Sequence, residues 1–204
     1  MPTPAFISIE GSNQGKITAG AFTEDSVGNV YVEGHEDEIM AQAISHIVTV
    51  PTDPQSGQPS GQRVHKAFKF TCSLNKAVPL MYNALASGEM LPKVQVTWFR
   101  TSIDGRQEEF FSTVLEDAVI VDMNLVMPNA QDPSNAPYTQ LLEVSMSYRK
   151  INWDHTIAGT SGSLMTGVDH KFNCIYLMKK LNRFLFSFLF SIKKGNIIFP
   201  LYLN

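Results

Sequence analysis

Regular alternation of apolar and polar side chains runs through residues 1–163 and restricts most strongly what this chain can fold into. Segments such as AFISIE (5–10), HKAFKFTCS (65–73) and KVQVTWFRTS (93–102) carry apolar side chains at every second position. This period is typical of strands with one buried and one solvated face. Turn sequences separate the segments, and IDGR (103–106) between two of them indicates a β-hairpin. The pattern predicts a mainly β domain, a barrel or a sandwich.

Further strands are predicted where the alternation is less regular or longer. They are expected at Gly28–Glu36, Ile44–Val50, Val64–Phe70, Gln107–Met127 and Thr139–Trp153. One segment differs, because VPLMYNALASGEML carries apolar residues at helical spacing. Pro79 suits the first turn of a helix and Gly88 suits the position just after its end. We therefore expect one short helix of about ten residues in this segment.

A long polar connection lies between two of the predicted strands. Residues 51–65 contain three prolines, and Val64 is their only large apolar residue. Connections of this length without structure of their own are uncommon in compact domains, and they are usually functional or disordered.

Composition excludes several classes of protein. The chain is 44% apolar and 17% charged, as in a globular protein. Its two cysteines, Cys72 and Cys174, do not form a disulfide framework and suggest folding in a reducing compartment. The N-terminus lacks the basic and apolar regions of a cleavable signal. Residues 1–163 have a net charge of −8, which disfavours nucleic-acid binding.

Catalytic patterns are not recognisable in the sequence. The run HEDE (35–38) is interpreted as a charged turn, since neighbouring side chains on an extended chain do not converge. His46 lies in an apolar strand and is predicted to be a hydrogen-bonded structural histidine. The other histidines lack metal-ligand spacing, and Ser161 lacks the context of a nucleophile elbow. We predict no catalytic residues, no metal and no cofactor. Two classes remain: a structural assembly subunit, or a binding module for a small ligand or glycan.

Four stretches carry a resemblance to a known family: residues 21–39, 50–68, 115–123 and 147–163. Together they resemble the haemolysin-coregulated protein (Hcp) family, the tube protein of bacterial type VI secretion. The resemblance extends from Met1 to Ser163. It implies a compact β-barrel of two antiparallel sheets with one short α-helix, at residues 78–87.

The resemblance also implies a function. Hcp-like subunits form homohexameric rings that stack into a tube. A sheath drives this tube, tipped by a spike protein, from the bacterial cytoplasm out of the cell without a signal peptide. The lumen holds effector proteins. Stable membrane insertion and nucleic-acid binding are not expected. The alternative is a monomeric β-sandwich binding module for a small ligand or glycan, and an enzyme ranks third.

For such a subunit the polar connection is predicted to be a contact loop between rings or neighbouring subunits. Three prolines restrict the free loop and lower the entropy lost on docking. A disordered loop that touches nothing is the alternative. The predicted contact residues are Pro51, Thr52, Asp53, Pro54, Gln55, Ser56, Gly57, Gln58, Pro59, Ser60, Gly61 and Gln62.

Residues 164–204 differ from residues 1–163 and are predicted to be a separate C-terminal tail. They contain six of the thirteen phenylalanines, six Lys or Arg, and Asp169 as the only acidic residue. Three interpretations remain: a frameshifted or misjoined end, an added functional extension, or a membrane-active segment. The apolar run 184–192 is too short to span a bilayer, which requires about 20 residues.

Overall fold

The structure is a computed structural model that describes residues 3–135 and 139–166. These residues contain two α-helices, α1 (Glu24–Val27) and α2 (Val78–Ser87), and two 3-10 helices, Gly28–Val30 and Pro133–Asn135. The strands are β1 (Ala5–Gly11), β2 (Gly15–Lys16), β3 (Ile39–Ser45), β4 (Val48–Thr49), β5 (Val64–His65), β6 (Phe68–Ser73), β7 (Leu91–Thr101), β8 (Gln107–Val126), β9 (Leu141–Ser147), β10 (Lys150–His155) and β11 (Thr160–Met165).

The long strand β8 closes the main sheet into a barrel. Its first part pairs with β7, where Leu115 lies opposite Val94, and its last part pairs with β9, where Met123 lies opposite Val144. The strand order is β8-β7-β1-β3-β6-β9, returning to β8, and each of these pairings is antiparallel. This architecture confirms the predicted fold class, a mainly β barrel with the expected short helix at α2.

A bend in β8 lets its first and last parts pair with different strands. Asp117 has φ 51°, in the left-handed region that aspartate tolerates better than most residues, and the register shifts between Ile120 and Asp122. Before the bend, β8 also pairs with β10, with Ile151 opposite Leu115. Strand β11 then pairs with β10, so this hairpin extends the sheet beyond the closed ring.

Burial follows the predicted alternation. Ile7 and Ile9 on β1 are fully buried, and Phe68, Phe70 and Cys72 on β6 are at most 1% exposed. These side chains belong to the barrel core. Burial of each large apolar side chain contributes about 1.5–3 kcal/mol to the free energy of unfolding.

The segment Gly28–Glu36 is not the predicted strand. It contains one 3-10 helix followed by turns, because Gly28 and Gly34 have positive φ angles of 64° and 94°. The Glu36 carboxylate accepts hydrogen bonds from the Gly34 N–H at 3.0 Å and the Tyr31 hydroxyl at 2.8 Å. These bonds favour turns over an extended strand.

The predicted strand Thr139–Trp153 is two strands, β9 and β10, separated by Tyr148 and Arg149. The predicted strands Ile44–Val50 and Val64–Phe70 are likewise each divided into two. Strand β3 ends at Ser45 and β6 begins at Phe68, and both belong to the barrel. The residues between them form β4 and β5, which pair only with each other among the described residues. The connection therefore leaves the barrel as a separate hairpin.

Helix α2 forms where helical spacing predicted it. Pro79 occupies the first turn, and Gly88 ends the helix in the left-handed conformation, with φ 64° and ψ 31°. Met81 and Ala84 are fully buried against the core. The four-residue helix α1 was not predicted. None of the helices in the described ranges has the length and apolar character needed to cross a membrane.

A buried carboxylate fixes the turn between β1 and β2. Glu89 is 4% exposed, and its Oε1 accepts hydrogen bonds from the N–H groups of Asn13 at 2.7 Å and Gln14 at 3.0 Å. The Gln14 side-chain amide donates to Oε2 at 2.7 Å. The pKa of Glu89 lies below its usual range, because these donors, first the Gln14 backbone N–H, stabilise the charged form. A Cβ atom on Gly11 would lie 2.5 Å from Oε1, so a side chain at this position would displace the Glu89 carboxylate.

Replacing Glu89 by glutamine is expected to lower the free energy of unfolding by about 1–3 kcal/mol at neutral pH, because backbone donors lose a charged acceptor. With its depressed pKa, Glu89 stabilises the fold above the carboxylate's unfolded pKa, and this contribution is lost as pH falls through the folded value. Urea unfolding across pH 3–7 should therefore show a weaker acid dependence in Glu89→Gln. The exposed Glu109→Gln is the control, with an expected change within about 0.5 kcal/mol. Equal effects of the two variants would contradict this role.

Candidate functional site

The predicted contact loop is the outer part of a β-hairpin, which we call the arm (residues 48–65). At the base of the arm, Val48 lies opposite His65 in the β4–β5 pair. Farther out, Thr52 forms an isolated antiparallel bridge with Pro59. Strand-like pairing therefore continues from the base into the loop.

Asp53 organises the tip of the arm. Its N–H donates to the Gln58 carbonyl at 2.9 Å, and its carbonyl accepts from the Gly57 N–H at 2.8 Å. Its carboxylate accepts from the Gln55 N–H at 3.0 Å and the Ser56 hydroxyl at 2.9 Å. The pKa of Asp53 lies below its usual range, chiefly because of the Gln55 N–H and then the Ser56 hydroxyl. The tip thus has a turn of defined geometry.

The arm combines internal order with exposure. Of the twelve predicted contact residues, eleven are exposed and Asp53 is half-buried. Several of their backbone groups bond within the arm, so a partner would contact its side chains and outer edges. Exposed apolar side chains lie near its base: Ile47 is 44% exposed, and Val50 and Val64 are each 48% exposed. Contact of these residues with another subunit stays a prediction.

Hydrogen bonds attach the base of the arm to the barrel. An Arg63 guanidinium N–H donates to the Met165 carbonyl at 2.7 Å, which ties the arm to the end of β11. The Tyr148 hydroxyl lies 2.5 Å from His46 Nε2 and 2.9 Å from His65 Nδ1. His46 is thus a hydrogen-bonded structural histidine, as predicted.

Tyr148 lies between β9 and β10 and is 5% exposed. Burial raises its pKa to about 12, so the phenol keeps its proton across the physiological range. Burial also lowers the pKa of His46, and the neighbouring His65 lowers it further. Sequence reasoning missed this three-residue cluster, since its members are far apart in the chain.

The run His35–Glu38 forms a turn in which His35 and Glu38 contact each other, while Glu36 and Asp37 bond to residues outside the run. The His35 ring stacks on Phe6 with centroids 3.6 Å apart, and its Nδ1 lies 2.6 Å from Glu38 Oε2. Asp37 accepts from Lys16 Nζ at 3.1 Å. Residues 3–135 and 139–166 contain no group of three or more His, Cys, Asp or Glu that could bind a metal.

Comparison with known proteins places this geometry in a family. The family model described as "Type VI secretion system effector, Hcp" matches residues 6–155. The chain belongs to the Hcp family. This result confirms the resemblance found in the sequence.

Individual Hcp relatives agree in sequence and fold. A protein from Pseudomonas aeruginosa named "Major exported protein" is 59% identical over 163 residues, covering 80% of this chain and 95% of that protein. The crystal structure of an Hcp protein is 67% identical with a TM-score of 0.78, covering 81% of this chain and 98% of the other. The secreted protein Hcp3 from Pseudomonas aeruginosa is 48% identical with a TM-score of 0.68, covering 80% and 99%.

These Hcp relatives cover about four fifths of the chain. Most of the predicted tail, residues 167–204, lies outside the described residues, so its three interpretations stay open. Leu164 and Met165 belong to β11, where they lie opposite Ile151 and Lys150. A truncation that preserves this strand must therefore end after Thr166.

Replacing Asp53 by alanine is expected to loosen the arm without unfolding the barrel, since the carboxylate caps only groups in the tip. Tryptic cleavage after Arg63 should become severalfold faster at neutral pH, while the melting temperature stays unchanged. Gln62→Ala removes an exposed side chain from the same loop and serves as the control. An Asp53→Ala arm that resists trypsin as well as the parent arm would refute the assignment of this tip turn.

Proposed function

We propose that this Hcp protein is a structural subunit of the type VI secretion tube, in which hexameric rings stack along a hollow axis. The observation that carries the proposal is the arm, which is exposed, internally hydrogen-bonded and fixed to the barrel at its base. Family membership supports a protein that associates with copies of itself.

A closed ring requires two different patches on each subunit. The outer edge of β11 offers one, because no strand in the described part of the chain pairs with it. Its sequence, TSGSLM, lacks the lysine, proline or bulge that commonly protects an edge strand. The exposed edges and apolar base of the arm offer a different patch. These two surfaces support lateral association between copies and leave the tip of the arm available for contact between rings.

Other components belong to the same proposal. A sheath would expel the tube with a spike protein at its tip, and effector proteins would travel in the lumen. The protein would be made in the bacterial cytoplasm and exported without a cleaved signal peptide. The name of the Pseudomonas aeruginosa relative, "Major exported protein", supports export. The proposed role is structural and requires neither catalysis nor a cofactor.

Replacing Val64 by lysine is expected to weaken association between copies at least about tenfold, since a charge would occupy an apolar contact at the base of the arm. Ile103→Lys places the same charge on another exposed apolar residue, in the β7–β8 turn, and should leave association unchanged. Light scattering over a concentration series measures both. A monomer at every concentration of the unmodified chain would favour the alternative binding module.

Deleting Gln55–Ser60 should leave the barrel folded and the β4–β5 pair present, because neither includes these residues. Rings should still form, but their stacking into tubes should be lost with the tip of the arm. Electron microscopy of negatively stained samples distinguishes the two levels of assembly. Tubes as long as those of the unmodified chain would exclude the tip from stacking.

A further inference from the structure

The Tyr148 hydroxyl joins the two chain segments at the base of the arm. It lies 2.5 Å from His46 Nε2, just after β3, and 2.9 Å from His65 Nδ1, at the end of β5. A phenol has one proton, so it can donate to one imidazole and must accept from the other. The two hydrogen bonds therefore require a defined arrangement of protons.

The far side of His65 determines that arrangement. His65 Nε2 is buried and has no hydrogen-bond partner among the described residues. A buried N–H without an acceptor is more costly than a buried lone pair, so the proton belongs on Nδ1. His65 Nδ1–H then donates to the Tyr148 oxygen, and the Tyr148 hydroxyl donates to His46 Nε2. In this state all three side chains are neutral.

An added proton disrupts this arrangement. A proton on His46 Nε2 would point at the Tyr148 hydroxyl proton. Turning that hydroxyl toward His65 would move the His65 proton to the buried Nε2, where it has no acceptor. A proton added directly to His65 Nε2 meets the same problem. Each protonated state thus loses a hydrogen bond or leaves a buried donor unpaired.

Charges around the cluster do not compensate for an imidazolium. The segments that form it carry four cations: Arg63, Lys66, Arg149 and Lys150. The carboxylates on the adjacent strand have other partners, since Glu116 binds Lys150 at 2.8 Å and Asp117 faces Arg149 at 3.8 Å. Among the described residues, no carboxylate bonds to either histidine of the cluster.

We propose that His46, Tyr148 and His65 form an acid-released latch that holds the arm against the barrel at neutral pH and frees it in mild acid. The closed latch is the pair of hydrogen bonds at the base of the arm, and protonation of the histidines breaks them.

The environment of the two histidines determines the direction in which pH changes the stability of the closed arm. Burial lowers the pKa of both, assisted by His65 for His46 and by Arg63 for His65. A histidine with a depressed pKa stabilises the closed arm above its usual pKa of 6.5, and that stability is lost as pH falls below this value. Asp53 and Glu116 have lowered pKa values and stay charged through this range.

Hydrogen exchange of the full chain tests the latch. Protection factors of arm amides 48–65 are compared at about pH 7.5 and about pH 5.5, with β7 amides as the internal reference. Below the usual histidine pKa, arm protection should fall by about tenfold per pH unit for each histidine that titrates. Protection of β7 should stay constant. Arm protection that does not change with pH would overturn the proposal.

Two variants separate titration from packing. In the double variant His46→Gln and His65→Asn, the amides replace Nε2 and Nδ1 as hydrogen-bonding groups but do not titrate, so the arm should stay protected in acid. Tyr148→Phe removes both bonds, so the arm should be open at neutral pH with little further acid effect. If the double variant loses protection in acid as the parent does, the histidines are not the trigger.

Acid release of assembled tubes follows only if the proposed function is correct. Sedimentation of the same samples at both pH values keeps the two proposals apart. An arm that loosens in acid on a protein that never assembles would support the latch and refute the tube. Assembly that persists with a fixed arm at both pH values would support the tube and refute the latch.

Discussion

The barrel depends on β8, whose first and last parts pair with the two ends of the main sheet. Strand β8 pairs with β10 up to Glu116, with β7 up to Ala118 and with β9 from Val119 onward, so the bend around Asp117 joins the two ends of the main sheet. The chain also turns from β9 into β10 at this corner, where the Arg149 N–H donates to the Glu116 carbonyl at 3.2 Å. Closing the barrel thus fixes Tyr148, the residue on which the base of the arm rests.

Three parts of the molecule meet at this corner. The arm contacts it through Tyr148, and β11 ends there, with the Thr166 hydroxyl 3.0 Å from both the Tyr148 and the Arg149 carbonyl oxygens, which share its one proton. Arg63 links the arm directly to Met165 at the end of β11.

Sequence patterns predicted the barrel strands, the helix α2 and the family, because these depend on local periodicity and on long characteristic stretches. The failures have local physical causes. Glycines with positive φ turned Gly28–Glu36 away from an extended strand, and β11 was missed because the residues of 160–163 are small and polar. The cluster of His46, His65 and Tyr148 depends on long-range contacts, since Tyr148 lies 102 positions from His46 and 83 positions from His65 in the sequence. A single sequence does not reveal such contacts.

A cryo-electron microscopy reconstruction of the assembled full chain tests the central claim most directly, namely that the arm is the element by which copies of this barrel associate. We predict rings in which residues 51–62 of each subunit are ordered against a neighbouring copy. Rings whose arms contact no other subunit, or a preparation that contains only single chains, would contradict it.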